Sequence, residues 1–265
     1  MAYDGFRRSL QDHAFSRTDL LSSSREEDNR GASIMNILFT AGGRRVEIIE
    51  AFKKELTQDK IFVADVTSTA PALYVGHEHF LTPSFSDTDC LAQILEQCVA
   101  KKIDVIIPLI DPELDYYTQH HKSFQEKGIQ ILISSKEVVD IGRNKWETFQ
   151  FFQRNEIPTI TTYAQKQEVK TFPIVAKPIF GSAGDGVEVI SNQGQFENQS
   201  GIEKDYIYQP FIKGDEITVD VISDGLGRLI ATCQRKRLKT RAGEVERAVT
   251  MFDEDIHKYI QKIVT

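Results

Sequence analysis

A lysine stands near the end of the run Phe172-Pro173-Ile174-Val175-Ala176-Lys177-Pro178, and the turn Gly181-Ser182-Ala183-Gly184-Asp185-Gly186 follows it. Glycines let backbone N–H groups approach phosphate oxygens without a Cβ in the way, and lysine supplies a compact positive charge. This is not a P-loop, because G-x-x-x-x-G-K-[ST] is absent and strand patterns flank the glycines on both sides. Alone, such a hairpin reads more readily as an ordinary turn than as a phosphate site. Further on, Arg235, Lys236, Arg237 and Lys239 crowd one strand pattern, with Arg241 just beyond. Alternation places Arg235, Arg237 and Lys239 on one face. That face reads either as the solvated edge of a sheet or, beside a glycine loop in an acidic protein, as a grip for polyphosphate.

Two more candidates stand in the first half. Gly42-Gly43-Arg44-Arg45 follows an apolar strand pattern and opens a helix, so its N–H groups and guanidinium groups suit an anion. Asp111-Pro112-Glu113 follows another strand, and Asp111 and Glu113 are expected on the same rim of the sheet. Asp65 ends a strand 22 residues after Gly43, near the spacing of a ribose-binding acid, which raises a dinucleotide-binding oxidoreductase as an alternative. Its fingerprint needs three glycines, G-x-G-x-x-G, and the turn here reads A-G-G-R-R-V. His77 and His79 would share a face if extended, but no cysteine or third histidine joins them. His120 and His121, adjacent on a helix, point different ways.

The elements that must position these residues are legible. Asn36–Thr40, Ile61–Asp65, Ile103–Pro108 and Ile129–Ile133 are apolar throughout and read as strands. Helical spacing recurs at Val46, Ile49 and Phe52, at Leu91, Ile94, Leu95 and Cys98, and over residues 114–124. Such alternation implies a doubly wound parallel sheet buried on both faces, with ligands beyond the carboxyl ends of its strands. From about residue 139 the pattern changes: a helix over 140–155, then strands over 172–178, 187–190, 206–212, 217–223 and 229–239.

Length and composition bound the rest. At 265 residues the chain suits roughly two domains. Its 40% hydrophobic and 27% charged residues are ordinary for a globular protein, and no apolar run reaches the length of a spanning helix. Thirty-nine acids against 32 bases argue against nucleic acid as the partner. Cys90, Cys98 and Cys233 are too scattered for a disulfide framework or zinc cluster and read as buried thiols of a cytoplasmic protein. Residues 1–34 carry five arginines and no lysine and lack apolar periodicity. They read as a disordered extension or an expression artefact, with a partner-binding tail as the alternative.

Four stretches, in this order, resemble the ATP-grasp superfamily: I-L-F-T-A-G-G-R-R; R-N-K-W-E-T-F with I-P-T after it; V-A-K-P-I-F-G-S-A-G-D-G-V; and Y-Q-P-F-I-K-G-D-E-I-T-V-D-V. The chain is most similar to stand-alone proteins related to the synthetase half of carbamoyl-phosphate synthase large subunits, from about residue 35 to 265. The resemblance implies a Rossmann-like parallel-sheet domain over 35–138, an ATP-grasp small lobe over 139–204 and a partial large lobe over 205–265. It implies ATP as the bound nucleotide, a small carboxylate substrate, and ligation to an amine through an acyl phosphate. Lys177 would reach the α/β-phosphates and Lys145 would be a second phosphate-side lysine. Gly181, Ser182, Ala183, Gly184 and Gly186 would belong to the loop covering the phosphates. Gln209 would meet the adenine amino group, where many members have glutamate, and backbone groups of Phe211 and Ile212 the adenine edge. Glu216 would bind the ribose hydroxyls, and Arg237, with Arg235, would face the γ-phosphate or the acyl phosphate. Arg44, Arg45, Asp111 and Glu113 are the candidates for contacting substrate.

The resemblance also implies Mg²⁺, held in family members by an acid followed by Glu-x-Asn on late strands. No asparagine follows Asn198, so that pattern does not occur here. The chain is therefore expected to lack the last strands of the second lobe, with that lobe weakly stable or associating, for instance in a homo-oligomer, and to bind the adenine side of ATP while failing at phosphoryl transfer. A non-catalytic nucleotide-binding module is the corresponding alternative.

Overall fold

The computed structural model describes residues 34–264 apart from 183, 199–204, 225–226 and 242–243. The readings of the amino-terminal extension up to residue 33 and of Ala183 fall outside the described residues. The chain divides into two compact units that meet in sequence at Asp140 and Ile141.

The first unit alternates strand and helix. β1 (Asn36–Thr40), β2 (Lys60–Asp65), β3 (Glu78–Leu81), β4 (Val105–Pro108) and β5 (Gln130–Ile131) form one parallel sheet in the order β3-β2-β1-β4-β5. α1 (Val46–Glu55), α2 (Cys90–Ala100) and α3 (Asp111–Gln125) connect them. β1 and β2 lose nearly all solvent contact along their length, which explains why they are apolar at every position rather than every second one. Leu38, Phe62 and Ile106 pack with Cys90, Ile94 and Cys98 of α2 and with Tyr117 and Phe124 of α3. Phe39 packs edge-on against Phe52 of α1. Cys90 and Cys98 are buried, and burial raises the Cys98 thiol to about 12, so it behaves as a small apolar residue. The chain reverses direction across the sheet between β1 and β4, and the turns after these strands hold the candidate residues of this unit.

β3 was not anticipated. It is a short edge strand, half exposed, with His79 and Glu78 breaking the apolar pattern. His77 lies just before it and accepts a hydrogen bond from Ile61 N at 2.9 Å, so its ring serves the sheet edge.

The stretch of sequence around the division carries a correction. The expected helix over 140–155 is two helices, α4 (Lys136–Arg143) and α5 (Lys145–Arg154). Asn144 breaks the run: extended at φ −104° and ψ 107°, it accepts from Trp146 N at 2.9 Å and Glu147 N at 3.1 Å. Asparagine does this better than most residues, so a helix start forms there. β6 (Ile174–Pro178), β7 (Glu188–Ile190) and β8 (Tyr206–Pro210) make an antiparallel sheet in the order β7-β6-β8. Its core face carries Ile174, Ala176, Ile190 and Tyr208, covered by Val169 and by Phe196 of α6 (Gln193–Asn198).

β9 (Ile217–Ser223), β10 (Leu229–Arg241) and β11 (Glu244–Met251) form a second antiparallel sheet, followed by α7 (Glu254–Val264). β11 was not read from the sequence, because Glu-Val-Glu-Arg-Ala-Val-Thr-Met mixes charges into its strand pattern. Among the described residues, no helix is long and apolar enough to cross a membrane.

Candidate functional site

In the first unit the turn after β1 is fixed by close approach. A Cβ on Gly42 would stand 2.7 Å from Val63 Cγ1 and 2.9 Å from Ala72 Cβ, so nothing larger fits. The turn uses most of its own amides. Gly42 N donates to Ala64 O at 3.2 Å, Gly43 N to Asp65 Oδ2 at 2.8 Å, Arg45 N to Gly42 O at 2.9 Å and Val46 N to Arg44 O at 2.9 Å. The expectation that these N–H groups await an anion is therefore corrected. Asp65 also accepts from Thr67 N at 2.8 Å, so its carboxylate holds this turn to the next. The side chains of Arg44 and Arg45 remain exposed.

Asp111 and Glu113 do not share a rim, a second correction. Both lie in the first turn of α3, where neighbours point apart: Asp111 is exposed, and Glu113 is fully buried. Glu113 Oε2 accepts from Leu109 N at 3.0 Å and Ile110 N at 3.3 Å, satisfying orphan amides of the helix start. Its Oε1 makes no hydrogen bond, nor do the buried hydroxyls of Thr40 and Tyr117. Thr40 lies close enough to favour the charged form of Glu113 without good bonding geometry. Burial outweighs that, the two amides and the Arg45 charge together, and pushes Glu113 up to about 7.

In the second unit the structure brings Lys145, Lys177, Gln209 and the glycine loop into one neighbourhood. The Asn144 cap makes Lys145 the first residue of α5, and Lys145 N donates to Ile179 O at 3.1 Å, tying the helix start to the segment after β6. Lys145 Nζ reaches Gly181 O at 2.9 Å. The exposed loop is folded by Asp185 N on Ser182 O at 3.2 Å and Val187 N on Gly184 O at 3.3 Å. Gly186 has φ +66°, and a Cβ there would meet Pro178 Cγ at 2.8 Å, so the loop closes only with glycine at that position. Lys177 and Gln209 share the face of the β6–β8 pair opposite its core, since Val175 pairs with Gln209 and Lys177 with Ile207. Lys177 Nζ donates to Gln209 Oε1 at 2.8 Å.

Burial holds the Lys177 amine below the ordinary lysine range, against the opposing pull of Glu216. Burial, then the charges of Lys177 and Arg143, lower Lys145 in the same way. The Lys177 charge thus acts on Lys145, whose amine sits at the edge of the glycine loop, and a polyanion bound there would favour the ammonium forms.

Beyond β8, Phe211 N donates to Pro173 O at 3.0 Å, continuing the strand ladder, so this amide is committed. Ile212 is largely exposed. Glu216 is ion-paired with Arg237, and Arg237 N donates to Glu216 O at 2.8 Å. Arg235 grips Asp220 through two bonds, Nε to Oδ2 at 2.8 Å and Nη2 to Oδ1 at 2.9 Å. The expected common face of Arg235, Arg237 and Lys239 is corrected: the β10–β11 register shifts between Arg237 and Lys239, and such a bulge interrupts alternation. Lys239 pairs with Glu246 on β11 instead.

One residue of this neighbourhood was missed. Thr162 is buried; its Oγ1 accepts from Gln209 Nε2 at 2.9 Å and donates to Ile160 O at 3.0 Å. Its stretch, Ile-Thr-Thr-Tyr, carries no motif, and only the pairing of Tyr163 with Tyr208 places it beside β8.

Two family models match the chain, one described as PylC-like, N-terminal domain, over residues 37–132, and one as ATP-grasp domain, over residues 142–265. Residues 142–265 are thus an ATP-grasp domain. An uncharacterised protein of Mycoplasma pneumoniae is 29% identical over 117 residues, 42% of this chain and 38% of that protein. The arginine-specific large chain of carbamoyl phosphate synthase from Halalkalibacterium halodurans is 24% identical over 117 residues, 39% of this chain and 11% of that protein. Among solved structures, the L-amino acid ligase of Bacillus licheniformis matches with a TM-score of 0.67 at 16% identity, covering 88% of this chain and 60% of that one. N5-carboxyaminoimidazole ribonucleotide synthetase of Thermotoga maritima matches with a TM-score of 0.61 at 20% identity, covering 87% and 61%. The biotin carboxylase domain of the Hydrogenobacter thermophilus 2-oxoglutarate carboxylase, solved with magnesium-bound ADP and bicarbonate, matches with a TM-score of 0.66 at 15% identity, covering 88% and 58%. The chain thus spans less than two thirds of each of these relatives. At these identities the solved structures establish the fold: a parallel five-stranded domain followed by an antiparallel ATP-grasp domain.

Proposed function

We propose that this ATP-grasp chain binds ATP in its second unit and is the body of an ATP-dependent carboxylate–amine ligase. The observation that carries the reading is the placement of two lysines around the strand–loop segment 174–186: Lys145 Nζ donates to Gly181 O at 2.9 Å, and Lys177 Nζ, near the end of β6, donates to Gln209 Oε1 at 2.8 Å. In this reading Lys145 and Lys177 neutralise phosphate charge, and the loop covers the phosphates. Gln209 meets the adenine amino group, with the backbone of Ile212 at the base edge. Glu216 exchanges its ion pair with Arg237 for the ribose hydroxyls, which sends Arg237 towards the γ-phosphate or acyl phosphate, with Arg235 behind it. ATP supplies the phosphoryl group that turns a carboxylate into an acyl phosphate; attack by an amine then expels phosphate. For the chain's own groups the work is positioning and charge neutralisation.

Among the described residues no set of magnesium ligands is identified. No group of three or more potential ligands converges among them, and Asp220 and Glu246, on the sheet beside Glu216, are each paired with a base. A nucleotide-binding module without turnover is accordingly the second reading. The two separate on ADP release in the presence of ATP, Mg²⁺, a panel of amino acids as carboxylates and a panel of amines. Release that needs both a carboxylate and an amine, and is lost in Lys177→Ala, supports the ligase. Nucleotide binding with no release across the panels supports the module.

A further inference from the structure

We infer that Thr162 sets the base preference of the nucleotide site proposed above, by fixing which end of the Gln209 amide faces the Lys177 side. The inference rests on that site reading.

The hydrogen bonds run in one direction: Lys177 Nζ to Gln209 Oε1 at 2.8 Å, Gln209 Nε2 to Thr162 Oγ1 at 2.9 Å, and Thr162 Oγ1 to Ile160 O at 3.0 Å. A hydroxyl has one proton. Thr162 gives it to Ile160, so its oxygen accepts from Gln209, and the amide nitrogen must face it. Backbone pairing holds the threonine there. Tyr163 N donates to Tyr208 O at 2.9 Å and Tyr208 N to Tyr163 O at 3.0 Å, so the residue before Tyr163 falls opposite the residue after Tyr208.

The carbonyl end is thereby turned to the Lys177 side with one lone pair still to offer. An exocyclic amino group, as on adenine, donates to that lone pair. The keto oxygen of guanine would meet it acceptor to acceptor. Admitting guanine requires the amide to turn over, which sets its N–H groups against the Lys177 ammonium and takes the donor away from Thr162. Removing the Thr162 hydroxyl removes one of these two penalties. A glutamate at 209 has two equivalent acceptor oxygens, so turning it over changes nothing, and Thr162 should then lose its influence.

The test is calorimetric titration of ATP and of GTP into the full chain, for wild type, Thr162→Val, Thr162→Ser, Gln209→Glu and the double variant Gln209→Glu/Thr162→Val. Thermal unfolding serves as the folding control. Wild type should prefer ATP, and Thr162→Val should narrow the ATP:GTP affinity ratio about tenfold, the size of one hydrogen bond. Thr162→Ser should restore the ratio. In the Gln209→Glu background Thr162→Val should leave it unchanged. If Thr162→Val does not fold, Thr162→Ala carries the same expectation with a smaller side chain. A ratio unmoved in the threonine variants, or moved equally in the glutamate background, overturns the inference while the site stands. Equal wild-type affinity for the two nucleotides overturns it as well. A wild type that binds neither nucleotide removes the site reading and this inference together.

Discussion

Burial and then the neighbouring charge of Lys177 hold the Lys145 amine below the ordinary lysine range, so two cations from different elements share one patch of the second unit. Lys145 arrives there on the first turn of α5 and Lys177 near the end of β6. If a polyanion is what resolves their repulsion, Lys145→Ala and Lys177→Ala should each weaken ATP binding by about ten- to a hundredfold, the range for a bond to a charged group. Both should leave thermal stability unchanged or slightly raised. Wild-type affinity should also fade as pH rises, and earlier than an ordinary lysine pKa of about 10.4 would dictate, because both amines lose their protons sooner. Titrations at several pH values check this.

Glu113 predicts a pH dependence for the first unit. Its carboxyl titrates near 7 when folded against 4.5 in the reference state, so the folded form holds the proton more tightly. That contribution is complete below about 4.5 and is lost as pH rises through about 7, up to about 3 kcal/mol in all. Glu113→Gln keeps an oxygen for Leu109 N and Ile110 N and has no proton to lose. It should flatten the unfolding temperature between these pH values and raise it at pH 8. A variant that follows the wild-type profile would show that Glu113 is not the titrating group.

Asn144 connects helix geometry to the site. Asn144→Ala removes the acceptor of Trp146 N and Glu147 N and should cost about 1 kcal/mol of stability. Because the cap also sets where Lys145 begins, ATP affinity should fall with it. Asn144→Asp, which keeps the acceptor, should hold both close to wild type. Chemical denaturation and nucleotide titration on the same preparations separate the two effects.

Gly42→Ala tests the packing of the first unit. A methyl there meets Val63 and Ala72 below 3 Å, both in or beside the buried sheet. The loss should be about 1–3 kcal/mol, measured by denaturation, with nucleotide binding in the second unit unaffected at temperatures where the chain stays folded.

The sequence made the buried strands plain because a parallel sheet covered on both faces leaves an uninterrupted apolar signature, as at Ile37–Phe39 and Ile61–Ala64. Edge strands lack it: Glu78–Leu81 and Glu244–Met251 each put charge on an exposed side, and neither stood out. The break at Asn144 was hidden because Trp146, Phe149 and Phe152 keep helical spacing within α5, while the cap acts on backbone amides that no spacing rule reports. Within the candidate site, Lys177, Gln209 and the glycine loop could be named from residue type and order. Thr162 could not, because its place depends on a chain crossing beside β8. The Arg235–Arg237–Lys239 face failed for a related reason: period-two alternation holds only until a bulge, and the sequence carries no mark of one at Leu238.

The most direct measurement is calorimetric titration of ATP into the full chain, with and without Mg²⁺, beside Lys177→Ala. Saturable binding that depends on Lys177 and gains little from Mg²⁺ is the predicted result, since the described acids of the β9–β11 sheet are committed to arginine and lysine. Strong enhancement by Mg²⁺ would mean that metal ligands lie elsewhere in the chain and would contradict the reading of its acids. No binding in either condition, from a folded wild-type chain, would contradict the nucleotide site itself.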